Sequence, residues 1–163
     1  MADGEVRQGE LAFQVSEIIL FRAVGEVAVF PANKVQSFRY YDQEENINRK
    51  FVSRTSSINR FASFYEVVVW GDVSVMRKLS HQIISNRKNS DKDDFDYFIS
   101  FQNNLVPLKH FRNKIYPNLI SSSNHMRVLI NENHLNPNDK ADAIQIIQLY
   151  NKATSVETMV AGI

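Results

Sequence analysis

The chain contains no cysteine. That removes disulfides, thiolate zinc sites, iron–sulfur clusters and cysteine nucleophiles together, and it fits a reducing compartment. It has only five glycines, and no GxGxxG, P-loop or GxSxG pattern forms around them, so nucleotide-cradling loops and hydrolase elbows are excluded. Charge of one sign is also missing. Nineteen Lys and Arg face eighteen Asp and Glu, for a net charge of +1. That balance excludes a strongly electrostatic nucleic-acid coat but leaves room for a local basic site. No long hydrophobic run exists either. The most apolar stretch, Leu11 to Phe30, is broken by Gln14, Ser16, Glu17, Arg22 and Glu26, so no bilayer span is expected. The polar start, Met1 to Gly9, carries acids where a secretory signal carries bases. A cytoplasmic protein is the expectation. The four histidines, His81, His110, His125 and His134, share no metal-ligand spacing, so neither metal nor cofactor is expected.

What is present is a core. Hydrophobic residues make up 44% of the 163 positions and aromatics 11%, enough for one folded domain of the usual ~100–200 residues. No internal repeat or second composition zone appears. Apolar residues at steps of three and four predict helices over 9–23, 33–51, 57–86 and 138–156, and a further one that opens with the acids Asp91, Asp93 and Asp94 and is ended by Pro117. The two clearest stripes are Ile58, Phe61, Tyr65, Val68, Asp72, Val75, Leu79 and Ile83, then Phe98, Phe101, Leu105, Leu108, Phe111 and Ile115. Gly71 and Pro107 fall inside them as a bend and a kink. Asn136-Pro137 offers an N-cap pair for the last helix. The expectation is an all-α bundle of four to five helices over 9–156, with room for a short N-terminal strand at 27–30 and with tails at 1–8 and 157–163.

Two features could carry chemistry. Asp72 falls on an apolar stripe, where a buried carboxylate needs a partner. Lys109-His110-Phe111-Arg112-Asn113-Lys114 crowds cations over about one and a half helical turns. Arg112 can grip a phosphate bidentately, Asn113 adds a donor and an acceptor, and His110 can serve as general acid or base. Together they suggest that Asp72 orients Arg112 toward a cleft. The bland alternatives are a half-exposed Asp72 and a solvated basic face.

The span SRTSSINRFASFYEVVVWGDVSVMRKL (53–79), with its Trp70-Gly71-Asp72 step, resembles the long helix of HEPN (higher eukaryotes and prokaryotes nucleotide-binding) domains of the abortive-infection branch. The span LKHFRNKIYP (108–117) is similar to that family's signature helix. The resemblance covers roughly 33–156. It implies an all-α homodimer, often a metal-independent ribonuclease of toxin–antitoxin or defence systems, with Arg112, Asn113, His110 and Asp72 as catalytic candidates. It implies RNA binding by Lys109, Arg112 and Lys114. Arg112 and Asn113 match the motif, but the histidine expected four to six residues beyond the arginine is absent, since 117–119 are Pro, Asn and Leu. Two function classes therefore stand. One is a HEPN-like module binding RNA or nucleotide phosphate, with ribonuclease activity left open. The other is a non-enzymatic protein-interaction module such as an immunity, antitoxin or pathogen accessory factor.

Overall fold

The computed structural model describes residues 1–15, 17–23, 25–55, 61–80, 95–122 and 124–161. Strand outweighs helix, 43% against 32%, so the all-α bundle is corrected to a mostly β protein. Strands β1 (Glu10–Val15), β2 (Ile18–Ala23) and β3 (Glu26–Pro31) form a three-stranded antiparallel sheet in that order. A second sheet has the order β4 (Ser37–Asp42), β5 (Ile47–Thr55), β6 (Ala62–Val69), β7 (Ser74–Leu79), β8 (Phe95–Phe101) and β9 (Asn104–Pro107). Helices follow: α1 (Phe111–Lys114), α2 (Tyr116–Ser122), α3 (Asn124–Glu132) and α4 (Lys140–Ala161). Among the described residues, no helix is long and apolar enough to cross a membrane.

The helices expected over 9–23 and 33–51 are hairpins. In β4, Phe38, Tyr40 and Asp42 are half-buried while Ser37, Arg39 and Tyr41 are exposed, the period-2 pattern of a strand with one wet face. The expected helix over 57–86 is β6 and β7 wherever it is described; 56–60 and 81–94 lie outside the described residues. Ser63, Phe64, Tyr65 and Glu66 are buried in succession, as are Val73, Ser74, Val75 and Met76. A strand covered on both faces has buried residues at every step, so a helical spacing can always be picked out of it. The run Val67-Val68-Val69 favours extended backbone through its β-branched side chains.

Gly71 lies in the β6–β7 turn, not in a helix. Pro107 is the last residue of β9, an edge strand, where the missing N–H breaks no ladder. Gln102 and Asn103 both take positive φ, +48° and +63°, as a two-residue hairpin between twisted strands requires.

The chain divides into two compact units, Met1–Val67 with Arg77–Asp96, and Val68–Met76 with Tyr97–Ile163. In the first, Ile19, Ala32, Val35, Phe51 and Phe64 form the buried core, with Phe30 and Phe38 packed on it. Phe38 stacks on Phe51 at 4.9 Å and meets Phe64 edge-on at 5.1 Å. Val27 and Val29 on β3 remain 62% and 58% exposed, giving this unit an uncovered apolar strand face.

In the second unit, Val73, Val75, Ile99, Phe111, Ile115, Leu119, Met126, Ile146 and Ile147 form one core. The stripe expected on one helix from Phe98 to Ile115 is split: Phe98, Phe101 and Leu105 lie on strands β8 and β9, while Phe111 and Ile115 point inward as their spacing predicts. The last helix exists as expected. Its cap is not Asn136. Asp139 Oδ1 accepts the N–H groups of Ala141 and Asp142 at 2.8 and 3.1 Å, so the helix starts two residues later than 138.

Candidate functional site

The β4–β5 hairpin of the first unit sorts its charges by face. Its register pairs Phe38 with Phe51, Arg39 with Lys50, Tyr40 with Arg49 and Tyr41 with Asn48. Alternation then puts Tyr40, Asp42 and Arg49 on one face and Arg39, Tyr41, Asn48, Lys50 and Arg54 on the other.

The first face carries a chain of ion pairs. Arg49 donates Nε to Asp42 Oδ2 at 2.7 Å and Nη1 to Glu66 Oε1 at 2.6 Å. Arg77 donates Nε to Glu66 Oε2 at 2.7 Å, and its guanidinium lies 4.1 Å from the centre of the Phe95 ring. The chain runs along a cleft of about 510 Å³ lined by Tyr40, Asp42, Arg49, Glu66, Arg77 and Phe95 among others. Asp42 Oδ1 also accepts the N–H groups of Glu44 and Glu45 at the hairpin tip, at 3.1 and 3.2 Å. The Arg49 hydrogen bond, helped by the Glu45 N–H, holds the Asp42 carboxyl below the usual carboxylate range. Asp42 in turn does most to raise Arg49, with Glu66 adding to it against the opposing effect of burial. Burial also pushes the Tyr40 hydroxyl up. Positive and negative groups alternate here, and both Glu66 oxygens are spent on arginines. The arrangement fastens β4, β5, β6 and β7 to one another.

The opposite face is different. Arg39 and Lys50 are cross-strand neighbours, a position in which like charges repel. Arg54 follows Lys50 at the next same-face position but one; between them Val52, opposite Tyr65 on β6, is buried. Lys50 is half-buried, and its ammonium is pushed below the ordinary lysine value, first by burial and then by Arg39 and Arg54. Among the described residues, neither Arg39 nor Arg54 enters an ion pair within 4.0 Å; Arg54 donates Nη1 to the Ser53 carbonyl. Tyr41 is 52% exposed beside this group. Its hydroxyl donates to Asn46 Oδ1, and Asn46 itself sits in the left-handed region at φ +55°, which Asn tolerates better than most residues.

The candidates from sequence lie in the second unit. Lys109, Arg112, Asn113 and Lys114 are all exposed, on turns anchored by the buried Phe111 and Ile115. His110 is half-buried at the entry to α1. Asp72 is exposed in the β6–β7 turn, not buried on a helix stripe. No hydrogen bond or ion pair among the described residues joins Asp72 to Arg112. The turn holding Asp72 is fixed by Asn151 of α4 instead. Asn151 accepts the Val73 N–H at 3.0 Å and donates to the Val73 carbonyl at 2.8 Å. Gly71 makes this possible, because a Cβ there would stand 2.3 Å from the Asn151 amide carbon. Among the described residues, no group of three His, Asp or Glu side chains converges as a metal site.

Sequence reasoning missed Arg39, Tyr41, Lys50 and Arg54 because a helical period scatters them round a cylinder. At period 2 they fall on one face. Comparison with protein-family models, curated proteins and solved structures returns no match.

Proposed function

We propose that the protein binds the phosphate groups of a nucleic acid through the Arg39–Lys50–Arg54 face of the β4–β5 hairpin. One observation carries this reading: three cations share one sheet face, two of them directly opposed across strands. Arg39 and Arg54 are exposed and enter no ion pair among the described residues, so an anion approaching this face meets guanidinium groups open to solvent. The ion-pair chain on the other face supports the reading, since gripping Arg49 steadies the β5 backbone from which its neighbour Lys50 projects. The near-neutral net charge of +1 is compatible with it, because phosphate contacts depend on local clustering.

The test is fluorescence anisotropy of a labelled 20-nucleotide strand across a salt series. Three cations on a single strand give a log–log slope of affinity against salt of about −2, and Lys50→Gln makes it shallower by about 0.7. Wild-type affinity and slope in the triple variant R39Q/K50Q/R54Q would sink the proposal.

A second surface merits the same assay. Lys109, Arg112 and Lys114 are exposed together on anchored turns, which favours the RNA or nucleotide-phosphate reading of α1. If α1 takes the phosphates, Arg112→Ala weakens binding while the hairpin triple variant does not. The opposite pattern assigns the ligand to the hairpin.

A further inference from the structure

The outer edge of β4 is a second surface of the first unit. β4 is an end strand of its sheet, paired with β5 alone. The Ser53 N–H donates to the Gln36 carbonyl at 3.0 Å, directly across the β4–β5 register. An antiparallel ladder bonds every second opposed pair. Phe38, Tyr40 and Asp42 therefore turn their backbone groups toward β5, and Ser37, Arg39 and Tyr41 turn theirs outward. Among the described residues, no other strand's backbone bonds that outward row.

A groove of about 870 Å³ follows the row. Its lining takes Phe38 and Tyr40 from one face of β4, Arg39 and Tyr41 from the other and, among the described residues, nothing from β5. It therefore lies along the edge of the strand and not on a face of the sheet. Its far wall is residues 4–11. That segment is tethered by the Ala2 N–H, which donates to the Lys34 carbonyl at 2.9 Å, and by the Arg7 guanidinium 5.3 Å from the centre of the Phe30 ring. The rest of the lining is largely apolar, with Ile19, Phe21 and Phe30.

A charge on an open edge opposes pairing with a second copy. Arg39 is exposed at the middle of the outward row, and two copies meeting with Arg39 opposite itself repel. Each copy's residues 4–11 also stand across the groove from its own β4. The same charge attracts a strand that carries an acid at that place.

We infer that the β4 edge takes an extended peptide as an added strand, with apolar side chains beside Phe38 and Tyr40 and an acidic one beside Arg39. Opposed residues in a ladder share a face, so the peptide alternates apolar and polar positions. From Gln36 to Gln43 the groove runs about seven residue steps, roughly 23 Å. This surface shares Arg39 with the phosphate-binding face but neither Lys50 nor Arg54, and it stands whether or not a nucleic acid binds.

The experiment follows amide hydrogen exchange by NMR in the full, isotope-labelled chain with the synthetic peptide TVTVEVT. In the free protein the Ser37, Arg39 and Tyr41 amides should exchange at least about tenfold faster than those of Phe38 and Tyr40, and saturating peptide should slow those three by about tenfold. N-methylation of the peptide glutamate removes a donor aimed at β4 and should weaken binding about fivefold, whereas N-methylation of the preceding valine, whose N–H points away, should cost less than about twofold. Arg39→Glu should reject TVTVEVT and accept TVTVKVT, an exchange of preference that a misfolded variant cannot show. Unchanged exchange of the three amides at about 1 mM peptide, or equal loss from either N-methyl group, overturns the inference. Protection of the three amides already in the free chain overturns it as well, and loss of that protection on dilution identifies a second copy as the occupant.

Discussion

The two units are held together by different physics. The first fastens its strands with a charged chain, Asp42–Arg49–Glu66–Arg77, laid beside stacked aromatics. The second relies on an aliphatic core in which Val73, Val75, Ile99, Leu119, Met126, Ile146 and Ile147 have no measurable exposure. A charged chain is directional and depends on every member, since removing one leaves its partners desolvated without a counter-charge. An aliphatic core is non-directional, and its losses scale with the volume deleted. The unit with the directional fastening is also the one that sorts cations onto a single face. Order on one side of a strand is what gives the other side a defined geometry.

The comparison can be tested by substitution, and the largest effect belongs to the aliphatic unit. Ile146→Ala should cost about 4 kcal/mol in urea unfolding, because the site is fully enclosed and cannot easily collapse. That cost should be the same at pH 7 and pH 4. Next comes Glu66→Ala, at about 3 kcal/mol, because it takes a shared carboxylate from two guanidinium groups at once, with Arg49 keeping Asp42 and Arg77 keeping the Phe95 ring. The side chains are 12–23% exposed, so some solvent reaches them and the low end of the range applies. A cost below about 1 kcal/mol, typical of a surface pair, would break the contrast between the units.

Asn151→Ala probes one polar fastening of the second unit's turn, which Ser74 also holds by accepting the Gly71 N–H and donating to the Gly71 carbonyl. It should cost about 2 kcal/mol, since the N–H and C=O of Val73 both lose their partner. A smaller effect appears on acidification. The Asp42 pKa is depressed in the folded state, so its contribution is complete above the unfolded value of about 3.9 and is lost as pH falls through the lower folded value. Asp42→Asn should flatten this acid limb of the stability curve, as followed by urea midpoints between pH 2 and pH 6. Last, Val29→Thr on the exposed strand face should move stability by no more than about 0.5 kcal/mol. A larger loss would mean that this face is covered.

The sequence was most legible where one face of a helix meets the core. Ala143, Ile147 and Tyr150 marked α4, and Phe111 with Ile115 marked the anchored face of α1. It was least legible in β6 and β7, where burial on both faces erased the alternation that identifies a strand. The punctuation was visible but assigned to the wrong period: Gly71 and Pro107 were placed inside helices, whereas one is a turn and the other a strand end. The basic residues of α1 were found as a cluster because they are contiguous. Arg39, Tyr41, Lys50 and Arg54 were not, because their proximity comes from the β4–β5 register, which no local spacing displays.

The Asn151 clasp on Val73 has a consequence for how the chain is made. The two residues are separated by 78 positions. On a ribosome adding roughly 5–20 residues per second, the Val73 turn is synthesised about 4–16 s before the side chain that satisfies it exists. During that interval β6 and β7 can pair, but the backbone groups of their turn must be hydrated. A chain without α4 therefore lacks the side chain that pairs the Val73 N–H and carbonyl, and it lacks Ile146 and Ile147 from the core shared with Val73, Val75 and Ile99.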